Sequence, residues 1–187
     1  MTELKVLTIC GSLRQGSYNA APVRALPALS PCGLTFSAAP SFKGFPYYDH
    51  DVQEAGGFPA PVKALADAIR AADGIIITSP EYNWTIPGAL KNAIDWVSRM
   101  PDQPFLGKPV AIQSCSKGPL GGSRMQYHMR MALTSLNAFL FGAPEIFIGF
   151  AQTRFDQKTL ELTDEATRSL VAKQLEGFAK FILRMKA

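Results

Sequence analysis

Leu4-Lys5-Val6-Leu7-Thr8-Ile9-Cys10-Gly11-Ser12-Leu13-Arg14-Gln15-Gly16-Ser17-Tyr18-Asn19 is the stretch that decides the fold. An apolar run rich in strand formers stops at Gly11, and a turn of glycine, hydroxyl and amide residues leads into a helical pattern near Ser17–Leu26. The same change of period recurs along the chain. Further strands are predicted at Leu34–Ser37, Gly74–Thr78, Pro109–Ser114 and Ile146–Ile148, and further helices near Pro61–Ala71, Gly88–Arg99, Gly121–Phe141 and Thr163–Met185. Strands alternating with amphipathic helices make βαβ units, so the expectation is one three-layer α/β domain over residues 1–187, with a five-stranded parallel sheet and helices on both faces.

The helix assignments rest on spacing. Val62, Leu65 and Ile69 recur at three and four, as do Leu90, Ile94 and Val97, and the row Met125, Met129, Leu133, Leu136, Leu140 continues the rule. These rows are core, methionines included. Pro61 and Pro87 sit where helices open, and Pro27 is expected to end the first helix early. Residues Ala39–Pro59 form the longest segment read as irregular, with Tyr47-Tyr48 and Asp49-His50-Asp51 inside it.

Composition narrows the function classes. At 187 residues, 47% hydrophobic and 18% charged, the chain suits one ordinary globular core rather than a disordered or low-complexity segment. Its longest apolar runs, such as Gly74-Ile75-Ile76-Ile77, fall well short of the roughly 20 residues of a membrane-spanning helix. The first ten residues lack the regions of a signal peptide, and the reading is therefore cytoplasmic. Cys10, Cys32 and Cys115 make no C-x-x-C pair, and His50 and His128 stand far apart, so neither a disulfide framework nor a metal centre is indicated. A net charge of +4 without a basic stripe argues against nucleic acid and suits an anionic small molecule.

In an open parallel sheet the ligand lies beyond the carboxyl ends of the strands, where the strand order reverses. With the order 2-1-3-4-5, the turns after the first, third and fourth strands converge there. The first turn has the makings of an anion cradle: Gly11 and Gly16 allow a tight backbone, Ser12, Ser17 and Asn19 supply polar groups, and Arg14 supplies charge ahead of a helix N-terminus. It is neither a G-x-G-x-x-G fingerprint nor a Walker loop. Ser17 as a plain helix cap is the competing reading, but a cap needs one such residue and four are present.

The second turn, Ser79 to Gly88, offers Tyr82 and Trp84 as flat surfaces and Asn83 as an amide reader, which suits a planar heteroaromatic ring as well as it suits aromatics covering a core. No partner for general acid chemistry follows from spacing, so Glu81 reads as a surface or structural carboxylate. Lys91 and Asp95, four apart on the next helix, read as a surface ion pair. The third turn, Cys115 to Gly122, presents backbone N–H groups with little bulk, and Lys117 is either a solvated charge or an aid to an anionic substrate. Cys115 has no neighbouring histidine or resolving cysteine and reads as an inert small residue.

Taken together, these segments resemble the NADPH-dependent FMN reductase family, in its bacterial chromate and quinone reductase branch. The resemblance runs through Gly11-Ser12-Leu13-Arg14 with Ser17 and Asn19, through Pro80-Glu81-Tyr82-Asn83 to Pro87-Gly88, Leu90-Lys91-Asn92 and Ile94-Asp95-Trp96, and through Gly121-Gly122, Arg124 and Gln126-Tyr127-His128. It implies a flavodoxin-like fold, non-covalent FMN, NADPH or NADH as electron donor, a small-molecule acceptor, and a homodimer or homotetramer. Ser12, Arg14, Ser17, Tyr18 and Asn19 would hold the phosphate and ribityl chain; Pro80, Glu81, Tyr82 and Asn83 would contact the ring, and Ser114, Cys115 and Ser116 its other edge. No side chain is implied as catalytic, since the chemistry belongs to the flavin. Arg124, Tyr127 and His128 would face a neighbouring subunit, whereas the residues alone fit a solvated helix face.

Two other readings keep the same fold. A flavodoxin-like electron carrier would bind FMN without oxidising a nicotinamide, although an acidic docking face would be expected of it and this chain is net positive. A flavin- or redox-sensing module would need a reactive Cys115. The fold alone does not separate these from the reductase.

Overall fold

The computed structural model describes residues 3–30 and 33–187; Cys32 lies outside them. Strands β1 (Leu4–Cys10), β2 (Leu34–Ala38), β3 (Gly74–Ser79) and β4 (Pro109–Cys115) are joined in the order β2-β1-β3-β4, all parallel. Beyond β4 lie two short parallel strands, β5 (Phe139–Leu140) against its start and β6 (Ile146–Ile148) against its end. The expected order 2-1-3-4-5 is thus found, with the fifth position split in two.

β3 and β4 are buried along their whole length, as central parallel strands covered on both faces must be. On one face, Leu7, Ile9, Ile75, Ile77, Val110 and Ile112 pack with helices α3 (Ala60–Ala71), α4 (Gly88–Val97) and α5 (Ser123–Thr134). On the other, Val6, Ile76 and Ala111 pack with α1 (Ala20–Leu29) and α7 (Glu165–Lys186), whose Val171, Leu175, Phe178 and Ile182 form the buried stripe. A polar rung crosses this second face: Thr78 donates to Gln113, which donates to Gln174 of α7, which in turn donates to the carbonyl of Pro144. No helix among the described residues is long and apolar enough to cross a membrane.

Four expectations change. α1 starts at Ala20, because residues 17–19 belong to the turn before it, and it runs through Pro27 to Leu29. Pro27 lies on the solvent side, so the helix loses one hydrogen bond there without burying an orphan carbonyl. α5 stops at Thr134, where Asn137 adopts a left-handed φ of 55° and Leu140 enters β5, so the spacing of Leu136 and Leu140 only mimics a continuing helix. The segment read as irregular contains α2 (His50–Gly56), capped by the Asp49 side chain, which accepts from the Asp51 N–H. It buries no residue and therefore leaves no apolar period to read. Finally, a short α6 (Ala151–Arg154) precedes α7.

α4 anchors that same segment. Asn92 accepts from the Tyr48 N–H at 2.8 Å and donates to the Pro46 carbonyl, and the buried Trp96 indole donates to the same carbonyl while meeting Tyr48 edge-on. Lys91 and Asp95 do form the expected surface pair, at 2.6 Å. Both are partly exposed, and Lys91→Ala is expected to shift stability by less than about 0.5 kcal/mol in a urea titration.

Candidate active site

Position in the sheet comes first. β1 lies between β2 and β3, and the chain leaves it on one face and reaches β3 from the other, which opens a crevice at the carboxyl ends. There the three turns meet around a hollow of about 210 Å³, lined by Ser12, Arg14, Ser17, Tyr18 and Asn19 from the first, Pro80, Glu81 and Tyr82 from the second, and Cys115, Ser116 and Lys117 from the third. Asn83 and Ser114 are not part of this lining. Larger hollows of about 450 and 530 Å³ lie between β2 and α3 and between α1 and residues 159–165, away from this convergence.

The first turn crosses close over the end of β3. A side-chain carbon at Gly11 would collide with the Ser79 hydroxyl and lie 2.8 Å from a Leu90 methyl, so only glycine fits. The Ser12 and Ser17 hydroxyls accept from the N–H groups of Arg14 and Asn19, which folds the loop on itself. The N–H groups of Leu13, Gln15, Gly16, Ser17 and Tyr18 have no partner among the described residues. Asn19 occupies the cap position of α1 but makes no side-chain cap bond. Its amide instead makes two 2.9 Å bonds to the backbone of Cys115, accepting from its N–H and donating to its carbonyl. Ala20 donates to the Ser17 carbonyl and Pro22 has no N–H, so within the first turn of α1 the Ala21 N–H is the donor left available to an anion. Asn19 is buried and braces the first turn against the third. Arg14 is exposed, and its guanidinium makes no ion pair among the described residues. Tyr18 is held by Gln157, whose side-chain oxygen accepts from its hydroxyl at 2.6 Å, a partner 139 residues away that no local pattern signals.

The second turn is a two-residue hairpin. Tyr82 and Thr85 exchange backbone hydrogen bonds of 3.1 and 3.0 Å, and the residues between them, Asn83 and Trp84, have φ of 49° and 67°. This is the type I′ arrangement, which favours Asn-Gly; a tryptophan at the second position is strained by about 1–2 kcal/mol. Tyr82 and Trp84 are both exposed, but only Tyr82 lines the hollow; Trp84 is turned toward α5. Glu81 lines the hollow, while its carboxylate accepts from the Met125 N–H in the first turn of α5 at 3.0 Å and lies 3.8 Å from Arg124. The Arg124 guanidinium sits over the Trp84 ring, 4.3 Å from its centre, and His128 Nδ1 lies 2.7 Å from the Thr85 hydroxyl. Tyr127 is exposed beside Phe147.

The third turn owes its closeness to Gly122, whose φ of 86° is left-handed and where a side-chain carbon would lie 2.9 Å from that of Ser114. Buried Ser114 accepts from the Gln126 amide, which also donates to the Ile146 carbonyl and so fixes α5 to β4 and β6. Cys115 is buried, and the low-polarity surroundings push its thiol up to about 12. Burial likewise raises Cys10. Cys115 is therefore held as the unreactive thiol near neutral pH. Iodoacetamide is thus expected to leave Cys115 unmodified in the folded protein and to label it in denaturant, as read by peptide mass mapping.

Unpaired N–H donors and two cations without an ion pair among the described residues, Arg14 and Lys117, fit a phosphate, and the exposed Tyr82 ring fits a planar ring, so the residues present suit a phosphorylated heteroaromatic cofactor. The sequence model of a family described as NADPH-dependent FMN reductase matches residues 4–153. The chain is 49% identical to a quinone reductase of Escherichia coli (strain K12), covering 98% of each, and 43% identical to an NAD(P)H-dependent FMN reductase of Pseudomonas aeruginosa, again over 98% of each. A solved structure of the flavoenzyme NAD(P)H:(acceptor) oxidoreductase of Paracoccus denitrificans superposes with a TM-score of 0.86 at 28% identity, covering 97% of this chain and 98% of that one.

Proposed function

Because the chain belongs to the NADPH-dependent FMN reductase family, we propose that it binds FMN in the 210 Å³ hollow and uses NAD(P)H to reduce quinones, with chromate, azo compounds and free flavin as further acceptors. The observation that carries this reading is the convergence of unpaired loop N–H groups, Arg14 and the Tyr82 ring at the ends of β1, β3 and β4. Ser12, Arg14, Ser17, Tyr18 and the start of α1 hold the phosphate and ribityl chain, with Asn19 bracing them. Pro80 to Asn83 receive the ring on one side, and Cys115 and Ser116 close its other edge as a wall, their backbone groups being engaged by Asn19, Ile148 and Ala151. When bound there, FMN would supply the redox chemistry between nicotinamide and acceptor.

The protein orients the ring, leaves one face open, and directs backbone N–H groups toward negative charge that develops there. A single open mouth serves donor and acceptor in turn, which makes the order ping-pong. The active form is a homodimer or homotetramer in the cytoplasm.

Anaerobic addition of NADPH to the FMN-loaded protein is expected to bleach the flavin absorption band, and a quinone to restore it. Flavin that binds but stays oxidised would instead identify an electron carrier, and failure to bind FMN would overturn the reading.

A further inference from the structure

We propose that Arg124 and His128 of α5 are positioning residues, which hold the Tyr82–Thr85 turn in its left-handed form and so set how the cofactor ring is seated. This rests on the FMN reading of the hollow. The turn does not choose its shape from its own sequence: Asn83 tolerates a positive φ, but Trp84 at 67° is an outlier for a bulky residue. Such a conformation persists only where its surroundings over-determine it.

Those surroundings come from one element. Within the first two turns of α5, the Met125 N–H is taken by Glu81, the Arg124 guanidinium covers the Trp84 ring, and His128 Nδ1 meets the Thr85 hydroxyl. The contacts thus fall before, within and at the end of the hairpin. The last is a hydrogen bond whichever of the two partners carries the proton. α5 is itself fixed to the sheet, by Gln126 to Ser114 and Ile146 and by the close approach at Gly122, so it is a rigid backing. Neither Arg124 nor His128 lines the hollow. They act through the turn, whose Tyr82 does.

Two readouts test this, one of them free of cofactor. Trp96 is fully buried, so a change in acrylamide quenching of tryptophan emission reports chiefly on Trp84, which is 66% exposed. His128→Ala is expected to raise quenching in the cofactor-free protein. In an FMN titration it is expected to weaken binding by about three- to tenfold, the worth of one hydrogen bond, and to shift the bound flavin's absorption maximum. His128→Asn, which can still reach Thr85, should restore most of both. Thr85→Val should match His128→Ala, and the double variant should be no worse than either single change. Wild-type quenching and flavin absorption in His128→Ala, additive effects in the double variant, or an asparagine variant no better than alanine would each overturn the proposal. Should the wild-type protein not bind FMN, the cofactor reading falls, while the quenching series still decides whether α5 holds the turn.

Discussion

Replacing Asn19 by alanine is expected to lower the stability of the cofactor-free protein by about 2–4 kcal/mol, because both the N–H and the carbonyl of Cys115 lose a buried partner. For a chain of this length that is a fall in Tm on the order of 5–15 °C, measurable by calorimetry. FMN affinity should drop as well, since the same two bonds brace the first turn against the third. Asn19→Asp separates the two roles. It keeps the acceptor for the Cys115 N–H, loses the donor to the carbonyl, and places a carboxylate at the end of the phosphate cradle. It should therefore bind FMN more weakly than the alanine variant. Wild-type thermal stability in Asn19→Ala would show that the brace carries no weight.

Arg14→Ala is expected to leave the cofactor-free protein within about 0.5 kcal/mol of wild type, since the side chain is exposed and pairs with no acidic group among the described residues. Its effect should fall on FMN. A charge-assisted hydrogen bond is worth about 1.5–3 kcal/mol, which corresponds to a roughly 10- to 100-fold rise in Kd. Affinity in the variant should also depend less on salt. Arg14→Lys keeps the charge without the planar fork and should fall between the two. Unchanged affinity in an equilibrium titration would remove Arg14 from the phosphate site.

Much of the arrangement was legible in the chain because it is local. The buried runs of β3 and β4, the stripes of α3 and α4, and the glycine, hydroxyl and amide turns at Gly11, Ser79 and Cys115 each announce themselves within about ten residues. What escaped is either non-local or unpatterned. Nothing near Asn19 says that its amide reaches Cys115, 96 positions away, and nothing near Tyr18 points to Gln157. α2 hides because it buries nothing, and α5 seemed longer because Leu136 and Leu140 keep its spacing by coincidence. The contacts of Arg124 and His128 with the second turn were unreadable because either residue is equally at home on a solvated helix face.

The divided partner of β4 has a consequence for how the protein behaves in a crowded solution. A regular edge strand offers a row of free backbone groups on which a foreign strand can add, a route to aggregation. Here one margin of the sheet ends in stubs of two and three residues, β5 and β6, with residues 141–145 between them, too short to template continuous growth. The opposite margin, β2, is an uninterrupted run of five. Self-association by strand addition is thus confined to one side of the molecule, and a charged substitution at Thr35 or Ser37, whose side chains are exposed on β2, is where it would be blocked.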